Sequence, residues 1–140
     1  MKAFSATTEI NSTAERIWAI LTDAARYTEW DPGMLRLEGS IAPGQTLTVY
    51  TKVAPKRAFK PKVTVFEPNH KMVWSSGMPL GLFKGERTFV LEPLGGNRVK
   101  FSMREAFTGP MMVMIGNTIP DLTPTFEAFA AALKQRAEMP

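Results

Sequence analysis

The feature that most narrows the fold is a long run of strands closed by a single amphipathic helix. Between residues 34 and 107 apolar side chains recur at strand spacing. Turn-forming groups interrupt them at Ala42-Pro43-Gly44, Ala54-Pro55, Glu67-Pro68-Asn69 and Gly95-Gly96-Asn97. These breaks predict strands at 34–40, 46–53, 58–67, 71–77, 83–92 and 97–107, joined by short loops into an antiparallel meander. In the last of them Val99, Phe101, Met103 and Phe107 share one face, and Arg98, Lys100, Ser102 and Arg104 share the other. Beyond Pro120, the residues Leu122, Phe126, Phe129, Leu133 and Ala137 mark one face of a helix over about 121–137. That apolar stripe has only the sheet to lie on.

The N-terminal part fits the same plan. Residues 2–10 alternate, with Phe4, Ala6, Thr8 and Ile10 on one face of a first strand. Ser12 and Glu15 are spaced as a capping box, in which the Ser12 hydroxyl takes the Glu15 amide and the Glu15 carboxylate reaches back. Ala14, Ile17, Trp18 and Leu21 then form an apolar helix face. Helical character resumes after Asp23 and stops before Asp31-Pro32-Gly33, because a residue preceding proline avoids the helical region. The fold class is therefore α+β: a curved seven-stranded antiparallel sheet wrapped around a long C-terminal helix, with two short helices between strands one and two. One helix cannot fill all the space beneath seven strands, so one end is left as a cavity or a collapsed core. No repeat or linker divides residues 1–140, and a single domain is expected.

Composition removes much chemistry. With no cysteine and one histidine, disulfides, thiolate catalysis, iron–sulfur clusters and multi-histidine metal sites are excluded within one chain. No metal or cofactor is expected. The longest purely apolar stretch, Met111 to Ile115, is far below the roughly 20 residues that cross a bilayer. No signal-peptide pattern opens the chain, and a cytoplasmic location is the default expectation.

Several local motifs carry a resemblance. The stretch Ile10 through Asp23, followed by Trp30-Asp31-Pro32, resembles the opening of SRPBCC proteins, the START-like, birch-pollen-allergen-like helix-grip domains that include polyketide cyclase/dehydrase-type members. Met72-Val73-Trp74-Ser75 and Arg87 through Pro93 are similar to that family's fifth and sixth strands. Phe107-Thr108-Gly109-Pro110 and Phe126 through Lys134 are similar to its last strand and gripping helix. The resemblance covers nearly the whole chain and implies a hydrophobic-ligand cavity between sheet and helix. Its lining is expected from Trp30, Trp74, Phe89, Phe101, Met103, Phe107, Met112, Leu122, Phe126 and Phe129. No invariant catalytic triad unites the family, so none is carried over.

Two residues could carry chemistry. Glu105 interrupts an inward apolar series, and a hairpin folded about Gly95-Gly96-Asn97 sets Arg87 opposite or diagonal to it. The pair reads as a structural ion pair, as a polar anchor for a ligand, or as a general acid/base. Asp31 could serve as an acid but is first a turn former. Tyr27 is a candidate for the cavity mouth, while Tyr50 and His70 are expected to face solvent. Met111, Met112 and Met114 fall where a loop should cross the mouth. Lys52, Lys56, Arg57, Lys60 and Lys62 crowd one hairpin. No nucleic-acid motif accompanies them, and lysines on an exposed strand also block edge-to-edge pairing.

The leading expectation is binding of a small hydrophobic ligand, lipid-like or aromatic/polyketide-like. A cyclase/dehydratase-type enzyme using Arg87 and Glu105 is the alternative, and a toxin-like or interaction protein using the basic hairpin is a second. Neither nucleic-acid binding nor membrane insertion is expected, and a homodimer is left open.

Overall fold

Strand β1 (Lys2–Ile10) buries Ala6 and Ile10 and exposes Ala3, Ser5, Thr7 and Glu9 in the computed structural model, which describes residues 1–140. Helix α1 (Ala14–Leu21) buries Ile17, Trp18 and Leu21. Its cap corrects the capping-box expectation. Thr13 is the capping residue, and its hydroxyl accepts the Arg16 N–H at 3.2 Å. The helix starts one residue later than expected, with Thr13 extended before the first turn, and the Asn11 N–H ahead of it is taken by the Glu138 carboxylate at 2.8 Å. A short turn (Ala24–Arg26) leads into α2 (Tyr27–Trp30), which ends at the extended Asp31 before Pro32.

Strands β2 (Met34–Glu38), β3 (Thr48–Thr51), β4 (Lys62–Glu67), β5 (Lys71–Gly77), β6 (Lys84–Gly95) and β7 (Arg98–Thr108) follow. Five of the seven strands form one sheet in the order β1-β7-β6-β5-β4, and β2-β3 form a separate ladder. The two are stitched together by backbone bonds from Leu47 N–H to the Pro61 carbonyl (2.8 Å) and between Val49 and Phe59 in both directions (2.8 and 2.9 Å). The expected strands 46–53 and 58–67 are shorter than the sequence predicts. Pro61 has no N–H to donate, so pairing there falls back on isolated bridges.

Helix α3 (Met112–Ile115) and a turn at Gly116–Thr118 lead to α4 (Thr123–Glu138), with Pro124 in its first turn. Helix α4 buries Phe126, Phe129, Ala130, Leu133 and Ala137 against the concave face of the sheet. Leu122, expected on the helix, lies just before it and is half-buried.

At one end of the sheet two loops cross closely. The Met111 N–H donates to the Leu82 carbonyl at 2.9 Å. At Gly109 (φ 109°) an added Cβ would sit 2.6 Å from that same oxygen, so only glycine permits the crossing.

Candidate functional site

Cross-strand register lays the concave face out in transverse rows. The deepest of three consecutive rows runs Met72, Phe89, Met103, Ala6, and the next runs Val63, Trp74, Arg87, Glu105, Phe4. The outermost runs Ser76, Gly85, Phe107, Lys2. The face is apolar below and solvated above, and the charged pair lies on the boundary.

The interior beneath the boundary is filled. Phe89, Phe101, Met103 and Phe126 are each at most 1% exposed, which leaves no water-sized space against them. Their rings pack with Phe129, whose centroid lies 5.1 Å from Trp30, 6.0 Å from Phe89 and 6.1 Å from Phe101. The space beneath the helix is thus a packed core rather than an empty cavity. Two open depressions flank the helix, one of about 450 Å³ between β1 and α4 and one of about 370 Å³ between α1 and the end of α4, and neither is lined by Arg87 or Glu105.

Arg87 and Glu105 are directly opposite on β6 and β7, with the Arg87 Nε 2.6 Å from a Glu105 carboxylate oxygen. Their side chains keep 25% and 15% exposure, so the pair is desolvated without being sealed. The Arg87 guanidinium also lies 5.0 Å over the Phe126 ring, which ties the pair to the first turns of α4. Phe107 beside it stacks on Phe83 at 5.9 Å and meets Phe4 edge-on at 6.3 Å. Gly85 makes room for this cluster, since a Cβ there would approach the Phe107 ring to 3.2 Å.

A third polar group, Asp31, feels the charge of Arg87. Asp31 is buried, and its carboxylate accepts the Gly33 N–H at 3.0 Å, as a turn-forming aspartate should. Burial pushes its carboxyl above the ordinary 3.8, while the Gly33 N–H and the charges of Arg87 and Lys52 oppose the shift. The sequence presented Asp31 as a turn former with an acid role in reserve, and only the fold brings it near Arg87.

Other placements are plain. Tyr27 does not reach the mouth: it is fully buried, and its hydroxyl donates to the Leu21 carbonyl at 2.5 Å. Burial, with the Asp31 charge, holds its phenol well above the usual 10.0, so it stays a donor. Trp30 and Trp74 are buried with indole N–H groups that have no partner. Phe107, Met112 and Leu122 are half-buried around the open end, whereas Phe89, Phe101, Met103, Phe126 and Phe129 form its packed floor. His70 is exposed in its turn, Tyr50 is half-buried, and Met114 points to solvent. The contributions of Phe4, Phe83 and Gly85 went unread. A strand's alternation marks an inward position, but not which strand will lie beside it.

Over residues 1–138 the chain matches the model of a family described as polyketide cyclase/dehydrase and lipid transport. It is similar in structure to a START superfamily protein from Mycobacterium smegmatis, at 22% identity over 97% of each chain with a TM-score of 0.71. It is also similar to the Zhui aromatase/cyclase from Streptomyces sp. R1128, at 14% identity over 98% of this chain and 93% of that one, with a TM-score of 0.75. Truncated norcoclaurine synthase from Thalictrum flavum gives 19% identity over 99% and 94%, with a TM-score of 0.71. At these identities the structural likeness is one of fold. No curated protein matches the chain in sequence.

Proposed function

The chain belongs to the polyketide cyclase/dehydrase and lipid transport family, and from that premise we propose that it binds a small hydrophobic ligand at the open end of its concave face. The observation that carries this reading is the row Trp74, Arg87, Glu105, Phe4, where a charged pair meets an apolar wall at the point solvent access begins. The ligand's apolar body lies against Phe4, Phe107, Met112 and Leu122, and a carbonyl or hydroxyl oxygen turns toward Arg87. The Arg87 Nε is engaged by Glu105, which leaves the terminal guanidinium nitrogens to meet an acceptor.

Glu105→Gln tests the reading. It is expected to weaken binding of a carbonyl-bearing apolar probe by about 1–3 kcal/mol, the cost of a mismatched buried polar group, in a protein that stays folded. Affinity for a hydrocarbon probe should change little. If the pair is only structural, stability falls and both affinities stay as they were. Absence of saturable binding of either probe by the parent removes the reading altogether.

Asp31 supports a second reading, an enzyme of the cyclase/dehydratase kind. Its carboxyl is buried, its pKa is pushed up by burial and it feels the Arg87 charge, which makes it the candidate proton donor for enolisation or dehydration chemistry. Turnover of a polyketide-like substrate that is lost in Asp31→Asn, with binding retained, would favour it over simple binding.

A further inference from the structure

The open end of the sheet carries an apolar surface with no role in the folded chain. Leu80 is 96% exposed, Val113 88% and Met114 73%, with Met78 and Leu82 also exposed. Isolated exposed aliphatics are ordinary, but these five sit on the β5–β6 loop and on α3, which are bound together by the bond from Met111 to Leu82. Leu80 is costly twice over. Its backbone is left-handed (φ 61°), a conformation that favours glycine or asparagine, and its side chain stands in water. Neither the strain nor the exposure is repaid by any packing within the protein.

A cluster of cations lies at the same end. The connection between β3 and β4 carries Lys52, Lys56, Arg57 and Lys60, and Lys62 opens β4; none of the five forms an ion pair with a carboxylate. Antiparallel pairing places this connection beside the end of β5, from which the Leu80 loop springs, and the Lys52 N–H bonds to the Gly33 carbonyl next to the ligand site.

We propose that this end docks on an anionic lipid bilayer, with Leu80, Val113 and Met114 entering the interface and the β3–β4 hairpin resting on phosphate headgroups. The form of the surface selects a bilayer over a protein. The side chains are aliphatic and thioether groups projecting singly from loop tips, whereas protein hot spots are aromatic or arginine anchors that fill pockets. A bilayer interface takes such side chains without shape complementarity and attracts the lysines electrostatically. The inference stands apart from the identity of the ligand, and it turns the ligand site toward the membrane surface.

Sedimentation of the full chain with vesicles tests it. The parent should co-sediment with phosphatidylcholine vesicles containing phosphatidylglycerol, less so as salt is raised, and weakly with phosphatidylcholine alone. Leu80→Asn combined with Met114→Ser should lower partitioning about tenfold or more. Asparagine tolerates the left-handed backbone, so an unchanged denaturation midpoint will confirm that this variant is folded. Lys56→Glu, Arg57→Glu and Lys60→Glu together should abolish binding. No binding to anionic vesicles at low salt overturns the proposal, as does full binding by the Leu80/Met114 variant. Binding of an acidic protein that is lost in these variants, with no vesicle binding, assigns the surface to a protein and overturns it too.

Discussion

Asp31 shows how one side chain can serve the turn and the site together. Its carboxylate closes the turn over Pro32 by accepting the Gly33 N–H, and its burial leaves the proton harder to remove than in the unfolded chain. Because the folded pKa is raised, ionisation works against folding. That penalty is absent below the unfolded value of 3.8 and fully present above the folded value. Asp31→Asn keeps an acceptor for Gly33 and removes the titration. Urea midpoints across the acid-to-neutral range should show the variant gaining on the parent as pH rises. A gap that is constant or shrinks with pH would show that Asp31 ionises without penalty. At this scale the sequence is legible only in part. The spacing of Ser12 and Glu15 points to a capping box, whereas it is the Thr13 hydroxyl that takes the Arg16 N–H.

The elements depend on the gripping helix. Phe129 meets Tyr27, Trp30, Phe89 and Phe101, so it joins the N-terminal helices to the sheet through one ring. Phe129→Ala should cost about 3–5 kcal/mol, through lost transfer energy plus the void left behind, and should lower the denaturant midpoint accordingly. An unchanged midpoint would mean that the ring is not part of the cooperative core. The stripe Phe126, Phe129, Leu133, Ala137 was readable because its period repeats over about three turns, and the β6–β7 hairpin because one glycine-rich turn marks its bend, while the register that sets Arg87 directly opposite Glu105 came from the structure. Strands β3 and β4 were overdrawn. Their pairing depends on Pro61 and on isolated bridges between Thr46 and Lys62 and between Val49 and Phe59, which local alternation does not reveal.

For the whole molecule, the fold class and the facing of Arg87 and Glu105 were legible in the sequence, and the filled interior was not. Filling is a sum over rows contributed by β1, β5, β6, β7 and α4, and no single segment reports it. The packed floor sets an expectation for Met103, whose side chain lies one row below Glu105. Met103→Ala should destabilise the protein by about 2–5 kcal/mol. It should also deepen the site, so that a long apolar probe binds more tightly than to the parent. Fluorescence titration checks this, and an unaltered affinity would place the ligand away from this row.

The crossing at Gly109 has a kinetic consequence. A backbone bond and a contact that admits no side chain lace the Leu80 loop to the Met112 helix, so under the proposed function any widening of this end for a ligand would carry both together. Two independent flaps would impose two relaxation times on ligand entry. A laced pair imposes one, and replacing Gly109 with a bulkier residue would split it.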